Sequence, residues 1–145
     1  MAALFQFENH LEQLKSEVEA FPNDACLWLI PKGVSNSPGN LALHLAGNLQ
    51  HFIGTLLGNT GYVRERELEF STNGKTKAYI LEEIEKARHC VHSTLSSLSE
   101  DQLQQIYPVD FKEKTVSTSV ALSHLLAHLS YHNGQINYLR RMLYE

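Results

Sequence analysis

Ser117-Thr-Ser-Val-Ala-Leu-Ser-His124-Leu-Leu-Ala-His128-Leu-Ser-Tyr-His132-Asn-Gly-Gln135 carries no acidic or basic side chain, and its histidines recur at every fourth position. Leu125, Leu126 and Leu129 stand between them. A four-residue step nearly closes one helical turn, so His124, His128 and His132 share one side of a helix. The uncharged run extends from Lys114 to Arg140, and a second one separates Lys32 from Arg64. A helix without charged residues has little surface suited to water, so both must be covered on most sides. Asn40, His44, Asn48, His51 and Thr55 form one polar stripe along the second run, at steps of four, four, three and four.

Two further helices surround this pair. Leu4, Phe7, Leu11, Leu14 and Val18 recur at helical steps between about Ala2 and Ala20. Ala78, Leu81, Ile84, Val91, Leu95 and Leu98 do the same from about Lys75 to Leu98. Both segments are laced with Glu and Lys, as half-exposed helices should be. The uncharged helices are predicted at about Asn40–Gly58 and Ser117–Leu143. Tyr62 to Gly74 reads as a long charged connection, and Ser99 to Lys114 as irregular. Tyr107 to Phe111 is a short extended candidate there, with Pro108 barring it from a central strand. The fold class is therefore all-α, a four-helix bundle with long inter-helix connections, and residues 1–145 form one domain.

Composition removes several functions. The chain is 43% hydrophobic and 19% charged, which is globular rather than disordered. A net charge of −4 gives no field for a phosphate backbone, so no nucleic-acid partner is expected. No membrane span is expected, because the longest apolar stretch is broken by His44, Asn48, Gln50 and His51. Cys26 and Cys90 are too few for a disulfide framework, and the first residues lack the basic start of a signal peptide. A cytoplasmic protein is the expectation.

The histidines point to metal chemistry. Chance placement of eight histidines in this length gives roughly 0.4 pairs at four-residue spacing; the last helix has two overlapping ones. Two imidazoles one turn apart can bind one ion, and a third ligand from another helix leaves a coordination position open. Two other readings of the residues stay open at this point. The imidazoles could line a water-facing stripe, or hydrogen-bond to one another inside the bundle. Spacing alone does not separate His124, His128 and His132.

The segment Asn40-Leu-Ala-Leu-His44-Leu-Ala-Gly47-Asn48-Leu resembles the second helix of the DinB-like (DinB/YfiT) superfamily, and His128-Leu-Ser-Tyr-His132-Asn-Gly134-Gln135-Ile136 resembles its last-helix signature. Arg64-Glu-Arg66-Glu-Leu-Glu69-Phe70 is similar to the connection of one uncharacterised branch. The resemblance implies a four-helix bundle, commonly dimeric, holding one divalent metal ion through His44, His128 and His132. Asn48, His51, His124 and Gln135 are then candidates for the surrounding shell or pocket. Zinc or nickel suits imidazole ligands best. Asn133 stands where relatives more often have Arg, which puts an anionic-substrate role at that position in question.

The activity implied is a metal-dependent thiol S-transferase, with a low-molecular-weight thiol and a small-molecule electrophile as substrates. The alternatives are a non-catalytic metal-binding bundle or assembly module, and a metal-dependent hydrolase. No side chain is assigned a catalytic role, because neither histidine-bearing helix supplies a charged general base. A homodimer is expected, since two charge-free helices exceed the needs of one core this size. Gly47, Gly54 and Gly58 read as close-packing positions, within the bundle or across a dimer axis, and the Arg64–Glu69 charges as a solvated network or a cap on the pocket mouth.

Overall fold

The computed structural model describes residues 2–145. Four long helical segments make the bundle: α1 (Ala2–Glu19), α2 (Pro38–Leu49) with its continuation, α5 (Lys77–Ser97) and α7 (Thr118–Tyr144). The second helix does not stay α-helical. It passes through a π-helical stretch, Gln50–Thr55, and ends in the short turn α3 (Leu56–Gly58). Asn59 then stops it in the left-handed region at φ 49°. Packing runs α1 against α5 and α7, and α2 against the same two, so α1 and α2 lie on one diagonal.

Hydroxyl caps set three of the helix starts. The side chains of Ser37, Thr76 and Ser117 accept from the backbone N–H of Asn40, Tyr79 and Val120. The connections contain more structure than the sequence suggests. Tyr62 to Gly74 includes α4 (Arg66–Ser71), and Ser99 to Lys114 includes α6 (Glu100–Gln104), opened by a Ser99–Gln102 capping box. The extended candidate at Tyr107 to Phe111 makes no strand among the described residues. Only isolated bridges form, Ile106 to Ser117 and Phe111 to Lys114.

The core follows the predicted periodicity of α1, with Phe7, Leu11, Leu14 and Val18 buried. On α5, Ile84, Val91 and Leu95 are buried as the spacing predicts and Leu81 and Leu98 pack against the core; Ile80, Ala87 and Cys90 join them inside, whereas Ala78 is exposed. The two charge-free helices differ in how they are covered. Every residue of Pro38–Leu49 is buried within the subunit. The α7 helix instead leaves Val120, Tyr131, Tyr138 and Met142 exposed.

Two glycines close the α2–α5 seam. A Cβ at Gly54 would lie 2.3 Å from Cys90 Sγ, and one at Gly58 2.3 Å from Thr94 Oγ1. These contacts account for both glycines without a dimer axis. Gly54→Ala is therefore expected to destabilise the fold by about 1–3 kcal/mol through overpacking, against a helix-propensity gain of roughly 1 kcal/mol. A thermal melt checks it; an unchanged or higher melting temperature contradicts the tight seam.

Candidate metal centre

His44 enters the site from the middle of buried α2, and His128 and His132 enter from α7 across the α2–α7 interface. His44 Nε2 lies 3.0 Å from His128 Nε2, which in turn lies 3.1 Å from His132 Nε2. The three rings stand nearly perpendicular to one another, at interplanar angles of 82°, 88° and 89°. Two nitrogens bound to one tetrahedral ion at about 2.0–2.1 Å would be roughly 3.3 Å apart. The observed spacing is close to that.

The far sides of the rings decide what the near sides can do. His44 Nδ1 faces Glu69 Oε1 at 3.0 Å, and His132 Nδ1 faces Gln135 Oε1 at 2.6 Å. Both partners are acceptors, so both Nδ1 atoms carry the proton and both Nε2 atoms present lone pairs. Arg64 Nη2 is also 3.3 Å from His44 Nδ1, but it makes a shorter 2.8 Å bond to Glu69 Oε1. A bare Nδ1 would set its lone pair against that carboxylate. His128 has no such support, and its buried Nδ1 has no partner among the described residues. At most one proton, on His128 Nε2, can lie among the three converging nitrogens. The donor set is thus rich in lone pairs and poor in protons, which fits a divalent cation.

Electrostatics keep the two α7 rings neutral. Burial, with the His132 and His44 rings beside it, pushes the His128 pKa down to about 4. Burial also lowers His132, against a raising hydrogen bond from Gln135. For Glu69, burial alone would raise the pKa. The hydrogen bonds from His44 and Arg64, with the Arg64 charge, more than offset it and hold the carboxyl below its ordinary value.

Glu69 is the residue the sequence did not single out. It is 6% exposed rather than solvated, and Arg64 grips it through Nε and Nη2, each at 2.8 Å. Gly47 makes the seat for it, since a Cβ there would lie 2.1 Å from Glu69 Oε2. Asn40 docks the segment independently, its Nδ2 donating to Glu69 O at 3.0 Å and Thr72 O at 2.8 Å. Asn40 is in turn held by Ser37.

The other candidates separate. Gln135 holds His132 and donates to Tyr131 Oη at 3.1 Å. Asn48 is buried, with its Oδ1 unpartnered among the described residues. His51 packs edge-on against Phe52, and exposed His124 stacks on Phe111; neither joins the converging nitrogens. Asn133 is turned into the core, where Nδ2 donates to His10 O at 2.8 Å. A pocket of about 480 Å³ opens beside His132 and Gln135, between the Gly33–Asn36 loop and α7.

Residues 2–145 match the model of a family described as a protein of unknown function, DUF1572. The chain belongs to the DUF1572 family. Its fold is similar to that of a DinB-like protein from Bacillus cereus ATCC 10987, known from a crystal structure, at a TM-score of 0.76 and 20% sequence identity. The similarity covers 97% of this chain and 89% of that one. The DUF1572 chain thus has the DinB-like fold. No curated protein matches it. No helix among the described residues is long and apolar enough to cross a membrane.

Proposed function

We propose that this chain is a metal-dependent enzyme acting on a small molecule, with zinc or nickel held by His44, His128 and His132, and that it is a thiol S-transferase using a low-molecular-weight thiol. The observation that carries the reading is the convergence of three imidazole nitrogens, with oxygens of Glu69 and Gln135 facing the Nδ1 atoms of two of the rings. When bound, a divalent ion with neutral protein ligands keeps its full charge, which stabilises a thiolate at neutral pH.

The surroundings favour transfer to an uncharged electrophile over hydrolysis. The pocket beside His132 is lined by Leu41, Tyr131, Tyr138, Leu139 and Met142 with Ser35 and Asn36, and no charged side chain among the described residues lines it. Such a surface accepts an apolar or aromatic group. A hydrolase needs a base that can direct water, and the buried carboxylate nearest the histidines, Glu69, is committed to His44 and Arg64. The test is thiol consumption with a generic aromatic electrophile by metal-loaded protein. Turnover that requires the metal and disappears in His128→Ala is expected. Full metal binding with no thiol consumption would instead make the protein a metal-carrying module.

The assembly proposed is a homodimer through the exposed part of α7 outside that pocket, around Val120, because α2 is already covered inside the subunit. Light scattering should give twice the mass of the chain at micromolar concentration; the mass of a single chain contradicts it. Two unpaired cysteines, Cys26 and Cys90, support the cytoplasm as its location.

A further inference from the structure

We infer that Glu69, seated on Gly47 and neutralised by Arg64, is a positioning residue that sets the tautomer and aim of His44 toward the metal. The inference rests on the three-histidine reading and extends the site to a segment outside both histidine-bearing helices.

Three observations carry it. Glu69 Oε1 lies 3.0 Å from His44 Nδ1, and both side chains are buried, at 7% and 8% exposure. An ionised carboxylate there accepts a hydrogen bond from Nδ1–H and leaves the Nε2 lone pair facing His128. Arg64 binds both carboxylate oxygens, so the charge of Glu69 is balanced where it sits. Gly47 lies one turn beyond His44 on α2, and the carboxylate occupies the space that any larger residue would fill. Glu69 Oε2 is the far end of its side chain. A methyl group at position 47 would push it away and break the bond to His44. Asn40 holds the backbone at Glu69 and Thr72, so the segment stays docked when the carboxylate is moved. Phe70, with its ring centroid 4.8 Å from that of His44, bounds the imidazole on the same side.

The experiment compares zinc affinity, by competition with a chromogenic chelator, in the parent, Gly47→Ala, the double variant Arg64→Met/Glu69→Met, and His128→Ala. Glu69→Met alone would strand the Arg64 charge, so the double variant removes both charges and the acceptor together. Gly47→Ala and the double variant are each expected to bind zinc about ten- to a hundredfold more weakly. A second readout needs no metal. Long-range nitrogen–proton correlation NMR on the metal-free parent should show His44 protonated at Nδ1, with that preference lost in both variants. A purely structural role for Glu69 would leave it in place. Affinities within twofold of the parent in both variants, or an unchanged His44 tautomer, overturn the inference. If they do so while His128→Ala loses zinc, the three-histidine reading survives alone. If His128→Ala binds like the parent, that reading falls, and the inference falls with it.

Discussion

His128→Ala is expected to lose nearly all metal binding, a larger effect than the ten- to hundredfold typical of residues that only support a ligand. His128 is the nitrogen that the other two approach, at 3.0 Å and 3.1 Å, so its removal leaves ligands from α2 and α7 with no common neighbour. The fold should tolerate the change. The His128 Nδ1 atom is buried without a partner among the described residues, and removing that imidazole also removes an unsatisfied polar group. Circular dichroism should therefore show the parent's helix content, while metal analysis shows little ion. A variant that binds metal as tightly as the parent contradicts the centre described here.

Acidification is expected to weaken binding over a definite range. Protons compete with a metal for neutral imidazoles. Unfolded histidine titrates near pH 6.5, whereas His128 in the folded chain is held down to about pH 4 and His132 is lowered as well. These shifts have two consequences of the same sign. In the metal-free protein, the unfolded state takes up protons first. The stability contributed by the neutral rings is therefore present above pH 6.5 and lost as pH falls to about 4. In the metal-loaded protein, bound zinc adds stability above that range and progressively less within it. Melting curves with and without zinc should differ most at pH 7.5 and least near pH 4. An equal zinc effect at both values would mean that histidines do not hold the ion.

The parts of this molecule legible in the sequence are those set by local periodicity. Leu11 and Leu14 mark the inner face of α1 through helical spacing alone, and the missing charges between Lys32 and Arg64 signal a helix with no wet side. Choosing among the three histidines of α7 required a resemblance, because all share one face; only the position of His44 across the bundle separates them. Glu69 was illegible for a different reason. It stands in Arg-Glu-Arg-Glu-Leu-Glu, which looks like a solvated ion-pair run, and is buried by two distant features, the Asn40 clasp and the space above Gly47.

The π-helical stretch of the second helix has a consequence for how relatives of this chain are to be aligned. A π turn is an α-helix carrying one residue more than its path requires. Gln50–Thr55 separates the part of the helix that holds His44 and Gly47 from the part whose Gly54 and Gly58 meet Cys90 and Thr94. Deleting one residue there would restore the α ladder without rotating either flank. A homologue one residue shorter could thus keep both the histidine and the glycine contacts. Counting positions from His44 would then put its downstream glycines one place out of register, although the two chains superpose in space.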